Sequence, residues 1–158
     1  YVENSSKMSF GYNATKLTIK HKIEIGAYAF HGWDNAVSLI LPNTLQIIGA
    51  FAFRGWVKAA SLNIPEGVIE IRSDAFQSWD IAKTLTLPST VTYIGNYAFS
   101  YWSSATEVII NATTPPEISS NTFSSLNSAC VFKVPSASLM LYKTATNWSA
   151  YASKMTGV

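Results

Sequence analysis

The 158-residue sequence predicts a single β-rich solenoid, wound from coils of about 23 residues and closed by a short helical C-terminal cap. Three observations carry that expectation. First, one template recurs four times without a gap, as GAYAFHGWDNAVSLILPNTLQII (26–48), GAFAFRGWVKAASLNIPEGVIEI (49–71), RSDAFQSWDIAKTLTLPSTVTYI (72–94) and GNYAFSYWSSATEVIINATTPPE (95–117). A fixed period of roughly 20–29 residues, with apolar side chains at constant offsets, marks units that bury their apolar face only by stacking on neighbours. Second, each unit holds a short run in which alternate residues are apolar, the mark of a strand with one buried face. Third, the apolar spacing becomes helical after residue 135.

Taken in order, residues 1–25 read as a degenerate first unit, in which Lys7-Met8, Ala14, Leu17 and Ile19 follow the template but Ile25 arrives one residue early. Four regular units fill 26–117. Gly26, Gly49 and Gly95 each follow the isoleucine that closes the preceding unit, where a positive φ would let the chain turn sharply; Arg72 interrupts that column. Next come Phe30, Phe53, Phe76 and Phe99, each preceded by Ala, and Thr122-Phe123 continues the series one residue late. Trp33, Trp56, Trp79 and Trp102 lie three residues further on, and Ala36, Ala59, Ala82 and Ala105 three beyond those. Strands are expected at 17–19, 39–41, 62–64, 85–87, 108–110 and 132–134, giving six rungs. Pro42, Pro65 and Pro88 end three of them, since proline has no N–H for the next ladder bond. Turns at Asn43-Thr44, Glu66-Gly67 and Ser89-Thr90 lead to second extended runs over 45–48, 68–71 and 91–94. A last repeat spans 118–135. In the cap, 136–158, Ser138 is placed to cap a helix with Leu139, Tyr142 and Ala145 on one face, followed by a second turn holding Trp148, Tyr151 and Ala152.

The order Ile-Gly-x-x-Ala-Phe, apolar strand, then Leu-Pro or Ile-Pro resembles the BspA-like (Treponema pallidum type) leucine-rich repeat of bacterial surface proteins. Five tandem matches carry the resemblance from residue 14 to about 135. It implies a right-handed leucine-rich-repeat solenoid. The family usually has a small residue, commonly Cys, where this chain has Trp, and Leu where it has Ala. The two positions are three apart, which fits an exchange of volume between neighbours. The tail, Val134-Pro135 through Tyr142-Lys143 to Trp148 and Tyr151, is similar to one that closes many members. Because the chain starts in mid-repeat without Met, it reads as a piece of a longer exported product.

Composition narrows the function. Charged residues make up 13% and the net charge is +2, so the surface is expected to be nearly neutral and rich in hydroxyl groups. No Lys/Arg stripe interleaves the aromatics, which argues against nucleic acid as a partner. No apolar run approaches the roughly 18 residues of a membrane span, so membrane insertion is not expected of this segment. Cys130 stands alone and is expected to be a small buried residue beside the last strand. The sequons at Asn4, Asn13, Asn111 and Asn147 are cheap to meet by chance in a chain so rich in Asn, Ser and Thr.

Catalytic chemistry finds no constellation. His21 and His31 lack the paired spacing of a zinc site, and the one thiol lies about five coils from either, in a fold where each coil touches only its neighbours. Glu24 and Glu70 share a column two coils apart with Ile47 between them. At about 4.8 Å per rung their backbones sit roughly 10 Å apart, just past the roughly 6.5–9.5 Å of an inverting glycosidase pair, and they are expected to be solvated. No cofactor or metal is expected.

The tryptophans admit two readings: a core column, or a solvent-facing ladder that stacks sugar rings. Their place three residues after Phe, with Ala making room, favours the core. Outward positions are then Ser38, Ser61, Thr84 and Glu107; Ile40, Asn63, Thr86 and Ile109; and Glu24, Ile47, Glu70 and Tyr93. From these, Ile40, Ile47, Asn63, Glu70, Thr86, Tyr93 and Ile109 are the candidate partner-binding face. The function implied by the resemblance is a non-catalytic extracellular or cell-surface interaction module for bacterial adhesion, binding a protein or glycoprotein. The alternatives are a spacer that projects another domain, or a carbohydrate-binding module built on the Trp column.

Overall fold

The structure, a computed structural model, describes residues 13–158, so the Lys7-Met8 part of the degenerate unit lies outside the described residues. Each coil folds into two short strands, because each repeat holds two apolar runs separated by a turn. The first coil gives β1 (Lys16–Thr18) and β2 (Glu24–Ile25), and the second β3 (Ser38–Ile40) and β4 (Ile47–Ile48). The third gives β5 (Ser61–Asn63) and β6 (Glu70–Ile71), the fourth β7 (Thr84–Leu87) and β8 (Tyr93–Ile94), and the fifth β9 (Glu107–Ile110) and β10 (Glu117–Ile118). β11 (Val131–Val134) follows. Like strands stack in parallel: β2-β4-β6-β8-β10 form one sheet, while β5-β7-β9-β11 run through another and β1 pairs with β3. The pairing repeats the 23-residue period, with Leu62 opposite Leu85 opposite Val108, and Ile48 opposite Ile71 opposite Ile94.

The strands begin one residue before the expected limits, and β1, β3 and β5 also end one residue early. The alternation of apolar side chains reports which residues face inward, whereas pairing is made by the backbone. It already includes the outward residue ahead of the first apolar one, as in Lys16 opposite Ser38. The second runs pair over only two residues each, since their first residue closes the preceding turn, as when the Leu45 N–H donates to the Pro42 carbonyl. One feature has no counterpart in the sequence. β3 and β5 do not pair, although β4 and β6 of the same coils do; the template runs unbroken here, and no residue accounts for the gap.

Between the sheets and the turn side lies an aromatic core. Phe30, Phe53, Phe76, Phe99 and Phe123 stack nearly coplanar, 5.3–5.6 Å between centroids. Trp33, Trp56, Trp79 and Trp102 stack alongside at 5.7–5.9 Å, and each indole meets the Phe of its own coil edge to face. Trp56, Trp79 and Trp102 are fully buried. A buried indole must place its N–H, and these three donate to the carbonyls of Phe30, Phe53 and Phe76 in the preceding coil at 2.8–2.9 Å. Bulk and a bond back to the previous coil thus come from one residue, beside an Ala that is itself buried.

The glycine column does not serve the expected purpose. None of Gly26, Gly49 and Gly95 has a positive φ. Instead, a Cβ on Gly49 would lie 2.6 Å from the carbonyl carbon of Gly26, and one on Gly95 only 2.5 Å from the Ser73 nitrogen. Close approach of successive coils is what requires glycine there. Apart from His21, Gly67 and Asn147, the left-handed residues among those described form two other columns: Tyr28, Phe51, Asp74 and Tyr97, and then Gly32, Gly55, Ser78, Tyr101 and Ser125. These bends turn alternate N–H groups along the solenoid, so that Tyr28, Phe30 and Gly32 donate to Ala50, Ala52 and Arg54 of the next coil.

The C-terminal cap contains α1 (Leu139–Thr144), a 3-10 stretch over Trp148–Lys154, and then a strand, β12 (Met155–Gly157), that extends the sheet in parallel beside β11. The helical tail was expected and the strand was not, because three residues with Met alone turned inward carry no alternation. Ser138 occupies the N-cap position of α1, but its side chain makes no capping bond. The lid is fastened through side chains that reach the fifth coil: Tyr142 Oη donates to Ala112 O (2.8 Å), Trp148 Nε1 to Pro116 O (2.7 Å) and Asn147 Nδ2 to Ile118 O (2.6 Å).

Candidate partner-binding surface

Complete burial of Trp56, Trp79 and Trp102 removes the sugar-stacking ladder, because both faces of each inner ring are covered by its neighbours. Trp33, at the end of the stack, is half-buried. What the coils offer a partner is therefore their outward rows.

Those rows fall on two sheets. On the first, Asn63, Thr86 and Ile109 stand in direct register, with Lys133 continuing the row on β11. Beside them run Ser61, Thr84 and Glu107. Leu62, Leu85, Val108 and Phe132, between the two rows, are buried. Ile40 is exposed but pairs only with Thr18, and the missing β3–β5 pairing separates it from Asn63. On the second sheet, Ile47, Glu70 and Tyr93 form a row between Glu24 and Glu117. The seven candidate residues thus make two rows and one outlier.

Among the described residues, three ion pairs tie neighbouring outward positions together. Glu24 and Glu70 were expected to be merely solvated, but Arg72 links them, its Nε 2.8 Å from Glu70 Oε1 and its Nη1 3.2 Å from Glu24 Oε1. The guanidinium thereby bridges the coil that carries Ile47. Lys133 pairs with Glu107 across β11 and β9. On the turn side, Arg54 lies over the Phe51 ring at 5.5 Å, and Phe51 stacks on Tyr28 at 4.6 Å. Burial pushes the Asp74 carboxyl above its ordinary range, with Arg54 opposing.

Groups that chemistry would need are scattered or sealed. His31 packs edge-on to Tyr28 (5.9 Å between centroids). His21 occupies a left-handed turn. Cys130 is buried, as expected, and burial raises its thiol to about 11. Among the described residues no group of three or more His, Cys, Asp or Glu is placed to hold a metal, and no helix is long and apolar enough to cross a membrane. A cavity of about 320 Å³ opens among Leu17, Ile19 and Ile25 of the first described coil and Ala29 and Phe30 of the next, together with Lys20, Lys22 and Glu24. It adjoins the Phe30 end of the aromatic stack, with no histidine or thiol among its described lining residues.

The family model described as the BspA type leucine rich repeat region matches residues 12–148 in six copies. No curated protein matches the chain. Among solved structures, the chain is similar to a leucine rich repeat protein of T. pallidum, with a TM-score of 0.68 and 23% identity, covering 78% of this chain and 59% of that one. It is also similar to a leucine-rich repeat protein from Bacteroides ovatus, with a TM-score of 0.57 and 21% identity, covering 76% of this chain and 37% of that one. The chain therefore spans less than two thirds of either protein, and at these identities the likeness is one of fold.

Proposed function

From a chain that belongs to the BspA-type leucine-rich repeat family, we propose a non-catalytic module of a bacterial cell surface or secretion that adheres to a protein or glycoprotein through the outward rows of its larger sheet. The family supports an interaction role. The observation that carries the choice of face is the unbroken register Asn63, Thr86, Ile109 beside Ser61, Thr84, Glu107, which sets short polar side chains on a rigid parallel sheet. Such a surface lacks the recessed, perturbed ionisable groups on which turnover depends, and suits extended contact of the kind repeat arrays make. Because its charges are few and paired within the chain, affinity should depend weakly on salt.

The test is biosensor binding to immobilised extracellular-matrix and mucosal glycoproteins, comparing the protein with Asn63→Lys/Thr86→Lys. Both positions point outward, so the variant should keep its thermal midpoint and lose the interaction. Binding that survives the double substitution removes the site from this sheet. Absence of binding across the panel leaves the protein a spacer, a role that the continuous Phe and Trp stacks would suit by making the rod stiff.

A further inference from the structure

Three tyrosines at the junction of the fourth and fifth coils, Tyr93, Tyr97 and Tyr101, stand in successive columns with 38%, 36% and 52% of their surface exposed. Among the described residues, none of these rings stacks on another aromatic ring, and none of the phenol hydroxyls has a hydrogen-bond partner. Their neighbours in adjacent coils are polar and mostly short. Tyr93 lies between Glu70 and Glu117, Tyr97 follows Asp74, and Tyr101 falls between Ser78 and Ser125. Tyr28 differs, for Phe51 closes one face of its ring.

Backbone conformation supplies a second, independent observation. Tyr101 has a φ of 59°, a region disfavoured for bulky L-residues, whereas the φ of 55° at Tyr97 is shared by Tyr28, Phe51 and Asp74 of its own column. Elsewhere the Tyr101 column holds Gly32, Gly55, Ser78 and Ser125, the residue types such a bend favours. A large ring at this bend, exposed rather than packed, gives the fold nothing that offsets the strain. Backbone strain kept at an exposed side chain points to a role outside the coil.

The chemistry around the ridge selects its ligand. Glu70 is held by Arg72 and Asp74 faces the field of Arg54, while Glu117 beside Tyr93 has no ion-pair partner among the described residues, so the groups beside the rings are chiefly hydrogen-bond acceptors. Rings that keep open faces and free hydroxyls, next to serine and carboxylate acceptors, suit a ligand that is uncharged, ring-shaped and rich in hydroxyl groups. We propose that Tyr93, Tyr97 and Tyr101 form a stacking ridge for a neutral oligosaccharide chain. This site is distinct from the Asn63–Thr86–Ile109 row, and neither depends on the other.

The experiment is affinity electrophoresis of the protein in gels containing soluble β-glucan, xylan or galactomannan, with Tyr97→Asn/Tyr101→Ser as the comparison. Ser is what the Tyr101 column already holds, and Asn tolerates a left-handed bend, so the variant should fold with an equal or higher thermal midpoint. Tyr101→Gly serves as a second variant that relieves strain and removes one ring. At least one polysaccharide should retard the protein, and the double variant should bind it about tenfold more weakly, the loss expected from two aromatic contacts of ordinary strength. Failure of all three polysaccharides to retard the protein, or retardation undiminished in the double variant, overturns the proposal. So does a proline-rich peptide that binds and is lost in the variant while no polysaccharide responds, since the ridge would then serve a peptide.

Discussion

Removing one indole from the middle of the stack should nearly exhaust the stability of the solenoid. Trp79 is fully buried, lies 5.7 Å from both Trp56 and Trp102, meets Phe76 edge to face, and donates its Nε1–H to the Phe53 carbonyl at 2.8 Å. Trp79→Ala loses the buried ring, about 3–5 kcal/mol in a packed core, and strands the Phe53 carbonyl, about 1–3 kcal/mol more where water does not enter. Against a total of roughly 5–15 kcal/mol, that leaves little. Trp79→Phe separates the two contributions: an aromatic ring remains and the donor is gone, so the cost should be about 1–3 kcal/mol. Trp33→Ala is the control. It is half-buried with one stacked neighbour, Trp56, and should cost about 1–2 kcal/mol. Urea melts followed by far-UV circular dichroism would rank the three. In an array where each coil holds only its neighbours, Trp79→Ala should also separate the melt into two steps. An unchanged midpoint for Trp79→Ala would refute the core assignment, and one for Trp79→Phe would refute the bond to Phe53.

Gly95→Ala should destabilise by about 2–4 kcal/mol, because its Cβ would meet the Ser73 nitrogen at 2.5 Å. Gly26→Ala, with nothing within 4 Å, should stay within about 0.5 kcal/mol; equal thermal shifts for the two would show that close approach is not what the column protects. Stability should fall in alkali. The Cys130 thiol is raised by burial to about 11 from an ordinary value of 9.0, so its contribution is intact below pH 9 and is lost as pH rises through 11, by roughly 2 kcal/mol. Burial also raises Tyr142 and Tyr151, which extends the loss to higher pH. Urea midpoints between pH 8 and 11 should decline less in Cys130→Ala than in the parent, and identical slopes would remove the thiol from the account.

The parts of this fold that the sequence made legible are those set by side-chain burial. Phe53, Phe76 and Phe99, the Trp column and the inward strand residues all recur at one offset, and an apolar residue at a fixed offset has few places to go but inward. Hydrogen bonds between coils were hidden, since Trp56 to Phe30 spans 26 residues and leaves no local pattern. The Arg72 link was missed for the same reason, reaching 48 residues to Glu24. Backbone conformation was misread: glycine is ambiguous between a positive φ and a close approach, and Gly49 turned out to be the second. Of the tyrosine ridge only Tyr93 stood out, because Tyr101 shares a column with Gly and Ser and so repeats in no other coil.

The indole bonds also bear on how such a rod changes length. Each of Trp56, Trp79 and Trp102 binds the carbonyl 26 residues back, and β5, β7 and β9, like β6 and β8, pair 23 residues apart. Excising 72–94 would join Ile71 to Gly95 and bring Trp102 opposite Phe53, where the same bond can form again. Losses and duplications of one whole unit are therefore structurally silent at the seam, while other slips must be taken up in a turn, as the extra residue ahead of Phe123 is. Recombination between repeats can lengthen or shorten the rod in heritable steps of one coil. The exceptions are marks that belong to single coils, such as the Arg72 bridge and the Tyr97–Tyr101 pair, which would be lost or doubled with the coil that carries them.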